Sequence, residues 1–561
     1  MGKRSRRAVA VAVALPPAVG SSPAAHAAPS TGTAAPAQAA HSRPPKRRLL
    51  GVYLLFLGTY LSTAMGHFWS IDHVAPFLAA QSLAEGKGLA IKRILNAAEG
   101  VGGLYYTEYG VGLSVAAIPF YLVGKFVDTV APVAVRRFFA GPNMTDWGGT
   151  VPHYFVSLFS QFMTPITCIL VLLFCIKLGF TWRSSFLTTL LFGLATGAWV
   201  GARDFFQQTL EGLLLLASVY VLVGHRDRLT SRHAWIAGGL FGFGILVRLN
   251  LVIALPAVVV YLVSIVWLSR KRSDARAAHP EADDGRVRAL ARQARHVGAM
   301  MTHFMVPVLL GVAGDRLVRY LKFAGTSSGS GTLETSNFAP QVYLLDGLFG
   351  NLLTPGGSIF AYSPPIVLGV FLWVRFFRAH RAEALLFVGL SVTYLLFFSS
   401  WSFWHGQWTF GPRYLWPVLP FMVIPCAFAF GNKWLTLAAG ALGVAGFVVQ
   451  LLGVTINPGL VHLDYVNMKV EPQLFTPGFR LDYFYNPDIS PISMHFRDFM
   501  AGRHIDLWLN WVLRQFGFEA FLVGAIVPVA AFFTGVRLIR SGAPTAAVNR
   551  QRAKPAYGSS S

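Results

Sequence analysis

The residues of this 561-residue chain best suited to chemistry are ionisable groups set beside long apolar runs. Asp72 and His73 stand in WSIDHVAPFLAAQSLAEGKGL, Glu108 in YYTEYGVG, and Arg203 and Asp204 in GARDFFQQTLEG. Arg248 stands in ILVRLNL, and His405, Gln407 and Arg413 in SFWHGQWTFGPRYLWP. Asp315, Arg316, Arg319 and Lys322 crowd the end of another apolar run. Ionisable side chains at membrane depth are costly, so each is by default a functional candidate. A guanidinium pairs bidentately with phosphate oxygens, which makes Arg413 either a phosphate ligand or an interfacial arginine that snorkels to water. Arg248 has no charged neighbour in sequence and calls for a partner or a ligand. Arg203 and Asp204 can pair locally. Asp72 sits where a helix should begin and is either its cap or part of a site. Trp401, Trp404 and Trp408 suit an interfacial belt or stacking on a sugar ring. His67, His73 and His405 could join a carboxylate around a metal ion, but their spacing is not diagnostic, and metal use stays open.

The elements that must carry these groups are membrane helices. The chain is 54% hydrophobic and only 13% charged, against about 25% charged in soluble domains. Spanning a bilayer takes about 20 apolar residues. Suitable stretches lie near 49–68, 153–177, 184–202, 205–224, 234–248, 250–269, 299–320, 358–376, 383–400, 412–431, 435–454 and 518–537. The expected architecture is an all-α polytopic bundle of about 12 such helices with long loops carrying interfacial helices.

Charge orients the bundle. With the N-terminus inside and the sides alternating, the basic clusters 226–232, 270–295, 375–381 and 537–554 all fall inside, as the positive-inside rule requires. Both termini are then cytoplasmic, and the ionisable groups named above gather on the outer side. The net charge of +23 is thereby read as basic cytoplasmic loops, not as a nucleic-acid surface. Residues 1–48 begin with Lys3, Arg4, Arg6 and Arg7, followed by AVAVAVAL and a cleavage-like AHA. The apolar run is short and broken by Pro16 and Pro17, so a disordered cytoplasmic tail is expected over a signal peptide. The division that follows has five parts. They are this tail, a transmembrane catalytic region 49–454 with a first external loop at about 69–152, an external loop region 455–517, a last span 518–537 and a basic cytoplasmic tail 538–561. The segment YGVGLSVAAIPFYLVGKFV is apolar enough to span, but spanning would reverse every later loop, so it is expected to lie at the outer interface.

Several classes are disfavoured. There is no P-loop, G-x-G-x-x-G or HExxH. Cys168, Cys175 and Cys426 all sit in apolar runs with no disulfide or zinc spacing. No internal duplication supports a secondary transporter. A flippase for a lipid-linked sugar would spread its charges through membrane depth, whereas these gather on one side.

Taken in order, SIDH, YYTEYGVGL, ARDFFQQTLEGLLLLASVYVL, GILVRLN, LFGNLLTPGGSIFAYSPP and WHGQWTFGPRYLWPVLPF resemble the C-fold (GT-C) membrane glycosyltransferases, kin to protein O-mannosyltransferases and lipid A aminoarabinose transferases. The similarity covers roughly residues 49–430, and order and sidedness carry it. It implies an enzyme at the plasma membrane with an extracytoplasmic site. The donor would be a polyprenyl-phosphate sugar, and the acceptor a cell-envelope glycan, lipid or protein. By the same resemblance Asp72 matches the family's catalytic base and Arg413 its GPRYL pattern; since preorganised cations stabilise a leaving phosphate, Arg413 and Arg248, with Arg203 third, are the candidates to bind it. Asp204, His73, Tyr106, His405, Gln407 and Tyr362 would line the substrates. Many relatives have a second acid directly after the first, where this chain has His73, and Glu108 stands in a stretch that often carries Lys. One base without a second nucleophile would give inversion. A flippase, or a polymerase or ligase of lipid-linked glycans, are the alternative readings.

Overall fold

The computed structural model describes residues 44–140, 149–276, 283–324, 338–406, 409–468 and 482–541. Most of both expected tails, and Gln407 and Trp408, lie outside the described residues.

Apart from one small hairpin and three isolated bridges, the described residues are helices and loops. Helix α1 (Lys46–Ser62) is followed by α2 (Ile71–Ala84) and the antiparallel hairpin β1 (Ala97–Glu99) and β2 (Tyr105–Thr107). Next come α3 (Gly112–Val130), α4 (Val133–Phe139), α5 (Val151–Ser157), α6 (Phe159–Lys177), α7 (Trp182–Ala195), α8 (Ala198–Arg203), α9 (Gln207–Gly224) and α10 (Ser231–Val247). A 3-10 turn, Leu249–Ala254, leads into α11 (Leu255–Arg276) and α12 (Asp283–Phe323). After α13 (Pro340–Leu353) come α14 (Ile359–Tyr362), α15 (Pro365–Phe371), α16 (Trp373–Ala379) and α17 (Arg381–Ser399). Two 3-10 turns, Arg413–Val418 and Ile424–Gly431, enclose α18 (Leu419–Val423). Helices α19 (Lys433–Thr455), α20 (Pro458–Met468), α21 (Asp482–Tyr485), α22 (Pro491–Met500) and α23 (Trp508–Ser541) complete the order.

The chain is an all-α polytopic membrane protein. Among the described residues, 9 helical segments are long and apolar enough to cross a membrane. Segment Gly112–Val130 is one of them. The expected spans 49–68, 184–202, 234–248 and 358–376 fall on shorter helices. Two of the differences have visible causes. Thr196 ends α7 in an extended conformation, which divides 184–202. Pro364 and Pro365 have no N–H to give, which divides 358–376. Pro417, Pro420 and Pro425 likewise turn 412–431 into alternating 3-10 and α segments.

A large core formed from α6 to α11, α17 and the 413–431 segment includes Phe174, Phe241, Phe387 and Phe421, all fully buried. A second core packs α2 against α3 and α9 through Phe77, Leu113, Tyr121 and Leu213. Away from it α3 exposes Val115, Leu122, Val123, Phe126 and Val130, an apolar face fit for lipid. Helix α23 shows a similar face with Phe518, Ile526 and Phe533 while its other side packs along α1. That contact needs Gly58, where a Cβ would lie 2.5 Å from the backbone of α23.

Candidate active site

Helix α2 places Asp72, and the turn at its start decides how. Ser70 is the cap: its hydroxyl accepts from the Asp72 N–H at 3.2 Å. The Asp72 carboxylate is therefore not consumed at the helix end and turns toward the start of the 413–431 segment. There Arg413 Nη1 meets its Oδ2 at 2.9 Å, with 20% of the Asp72 side chain still exposed. Its Oδ1 accepts from the Tyr109 hydroxyl at 2.5 Å and from Asn96 Nδ2 at 2.8 Å. Three donors from three different segments thus converge on one carboxylate. Burial pushes the Asp72 carboxyl up, but the Arg413 charge and the Tyr109 hydrogen bond more than offset it, and the group ends below its ordinary range. Asp72 is ionised at neutral pH. Burial and the Asp72 charge push the Tyr109 phenol up, so it stays a donor.

Arg413 is positioned by glycine and aromatic rings. Its guanidinium lies 4.5 Å from the Phe206 ring centroid and 5.2 Å from that of Tyr414. Gly411, two residues before it, has φ +93, where a side chain is strained, and a Cβ there would meet the Tyr362 ring at 2.8 Å. Nη1 goes to Asp72, while Nε is buried without a partner.

The other two arginines are engaged. Arg248 lies 3.3 Å from Glu211 Oε2 and within 5.0 Å of the Phe398 and Tyr414 ring centroids. Tyr394 donates to the same Glu211 at 2.6 Å. Arg248 is thus joined to Arg413 through the shared Tyr414 ring. Arg203 is deeply buried; it donates to the carbonyls of Gly453 and Ile456 at 2.8 Å and to Asp506 Oδ2 at 2.8 Å. It pairs with Asp506, not with its neighbour Asp204. Asp506 also receives His67 at 2.6 Å and Asn457 at 2.8 Å.

Asp204 accepts from Trp69 Nε1 at 2.8 Å, and burial, partly offset by Arg203, pushes its carboxyl up to about 6. His73 is fully buried with neither ring nitrogen bonded, edge-on to Phe206 at 4.3 Å. Burial takes its pKa down to about 3, so the imidazole is neutral. His405 lies beside Arg413, and burial with that charge takes it down to about 3 as well. Tyr362 packs on Phe410 at 4.9 Å and against Gly411. Tyr106 stands apart, on β2, donating to the Val101 carbonyl at 3.2 Å.

The structure thus brings Asp72, His73, Arg203, Asp204, Arg413 and His405 into one neighbourhood. Two contributors escape a reading of local sequence. Asn96 lies in an irregular loop with no motif, and Tyr109 is one of three tyrosines in YYTEYG with nothing to single it out. Lys322, at the end of α12, donates to the Thr107 and Tyr109 carbonyls at 3.1 and 3.0 Å and so anchors the strand that delivers the Tyr109 hydroxyl.

Chemically, the arrangement is an ionised, partly open carboxylate beside a guanidinium with donor capacity to spare. It can accept a proton and hold an anionic oxygen within one small volume.

No family model matches the chain, and no curated protein matches it either. Among solved structures, it is similar to ArnT from Cupriavidus metallidurans bound to undecaprenyl phosphate, at 13% identity and a TM-score of 0.39 over 90% of this chain and 78% of that one. The apo state of the same protein gives 15% and 0.41 over 88% and 76%. The oligosaccharyltransferase of Archaeoglobus fulgidus in the apo form gives 9% and 0.41 over 80% and 64%.

Proposed function

We propose that this chain is an integral-membrane glycosyltransferase of the GT-C type. It would move a sugar from a polyprenyl-phosphate donor to a hydroxyl on an extracytoplasmic cell-envelope acceptor. The observation that carries the reading is the Asp72–Arg413 pair, held at 2.9 Å next to apolar spans and partly open to solvent. The order of sequence motifs and the one-sided charge distribution support it.

In the proposed reaction the acceptor oxygen attacks the anomeric carbon and a new C–O bond forms there. The bond from that carbon to the phosphate oxygen breaks, and polyprenyl phosphate leaves with the electron pair. The acceptor's proton goes to Asp72. Charge on the leaving phosphate grows in the transition state, where a preorganised cation stabilises it most. Arg413 has that role. When phosphate engages Arg413, Asp72 loses part of the charge that holds its carboxyl low and becomes a stronger base as the donor seats. Arg248, paired with Glu211, packs on the Tyr414 ring that Arg413 also meets and is a positioning residue. Arg203, held by Asp506 and two carbonyls away from the Asp72 carboxylate, is a positioning residue. With Asp72 as the one base and no second nucleophile used, the reaction is a single displacement with inversion.

The test is sugar transfer by purified protein in detergent, using a panel of radiolabelled polyprenyl-phosphate sugars and a crude envelope acceptor. Transfer of at least one sugar is expected. Movement of lipid-linked sugar across liposomes without any transfer would replace the enzyme by a flippase.

A further inference from the structure

Far from Asp72 in sequence, a second group of side chains has the makings of a metal site. Asp464 on α20, Asp498 on α22 and His504 in the turn before α23 each offer one ligand atom, and these atoms all lie within 4.8 Å of one another. His504 Nδ1 is 2.9 Å from Asp498 Oδ2, and its Nε2 is 3.8 Å from Asp464 Oδ2. Ligands held about 2.1 Å from a tetrahedral ion stand about 3.4 Å apart. These two contacts use different ring nitrogens of His504, and one ion takes only one of them; with one atom from each residue the three lie within 4.8 Å of one another and must draw together to close on an ion.

The surroundings prepare these groups. The Asp498 side chain is only 4% exposed, and Arg503 Nη2 holds its Oδ1 at 2.6 Å, leaving Oδ2 for the cluster. His504 has φ +52, the one non-glycine residue at positive φ among the described residues. Its turn is fixed on both sides: the Arg503 N–H donates to the Asp498 carbonyl at 2.8 Å, and the Asn457 N–H to the His504 carbonyl at 3.0 Å. A separate observation points to a ligand. His495, one helical turn before Asp498 on α22, is fully buried with Nε2 unpartnered. Its Nδ1 bonds the Pro491 carbonyl at 2.7 Å, the contact that orients metal-binding imidazoles.

We propose that Asp464, Asp498 and His504 bind one divalent zinc-type ion. One imidazole with two carboxylates suits zinc; calcium and magnesium prefer all-oxygen sets. The ion would neutralise two acids and clasp α20, α22 and the turn into one unit. It would be a positioning ion. His504 is two residues from Asp506, which Arg203 and His67 hold. Clasping the turn therefore fixes the end of the buried network that reaches the Asp72 neighbourhood. No reacting atom touches the ion.

The test uses the full untagged chain in detergent, stripped with a chelator and dialysed in parallel against zinc, manganese and calcium. Metal content is read by mass spectrometry and thermal stability by Tm. Wild type is expected to keep one equivalent of zinc and to melt higher with it, while Asp498→Asn and Asp464→Asn keep none and show no shift. Asp464 is the more exposed acid, so its variant tests the site even where Asp498→Asn fails to fold. The proposal is overturned if wild type keeps no zinc, keeps calcium in preference, or if the folded Asp464→Asn variant keeps as much zinc as wild type.

Discussion

Replacing Tyr109 by Phe removes a single hydrogen-bond donor from Asp72 and keeps the ring. In the native protein that hydroxyl sits 2.5 Å from Oδ1, one of three donors that stabilise the ionised carboxylate. A hydrogen bond to a charged group contributes about 1.5–3 kcal/mol. At 1.36 kcal/mol per pKa unit, its loss raises the Asp72 carboxyl by about one to two units. The sign for activity follows from the proposed role. Asp72 must be ionised to take the acceptor's proton, so activity falls as pH drops through its pKa. The native value lies below the ordinary 3.8, which puts that fall under the assay range. In the variant the acid limb of kcat/KM moves upward by about one to two pH units. The assay is transfer from a fixed polyprenyl-phosphate sugar, measured from about pH 4 to 8 for both proteins. A variant that, like wild type, shows no acid limb within that range refutes the claim that Tyr109 tunes the base.

Other substitutions separate support from chemistry. Ser70→Ala should cost about 1 kcal/mol of stability with kcat nearly unchanged, since Ser70 and not Asp72 is the cap; thermal melting and turnover check both halves. Arg203→Ala leaves Asp506 buried without its guanidinium, a loss of about 3–5 kcal/mol, seen as a large drop in Tm or in the yield of folded protein. Gly411→Ala should cost about 1–2 kcal/mol from backbone strain, and pushing Tyr362 aside should raise the donor KM through a displaced Arg413. Asp506 titrates below its ordinary range because His67 and Arg203 more than offset burial. With the folded value depressed, its contribution is full above the unfolded pKa of about 3.9 and lost as pH falls through the folded one. Melting of wild type should therefore fall more steeply below about pH 4 than that of Asp506→Asn.

Most spans were legible because unbroken apolar runs of membrane length are rare outside bilayers, and charged groups beside such runs, costly and few, singled out Asp72 and Arg413 as candidates. What bonds to them was not. The Tyr109 and Asn96 donors come from 37 and 24 residues away on irregular chain. Lys322 arrives from 213 residues away, at the end of a different helix, to hold the Tyr109 carbonyl. Arg203 and Asp204 looked like a local pair, yet adjacent side chains at the end of α8 diverge, and Arg203 finds Asp506 303 residues on. The sequence distance between Arg248 and Glu211 is 37 residues, and only the packing of α9 against α10 brings them together. Local pattern reports composition and period; these partnerships are set by tertiary packing. The breaks in 358–376 and 412–431 were written in their prolines, which cannot donate to a helix.

The most direct test of the central claim is single-turnover sugar transfer by wild type and by folded Asp72→Asn at saturating donor. Asn keeps the size of the side chain and one accepting oxygen but cannot take a proton. The account predicts a loss of about 10²–10⁴-fold in the transfer step, with donor binding retained. Transfer by Asp72→Asn at the wild-type rate would contradict it.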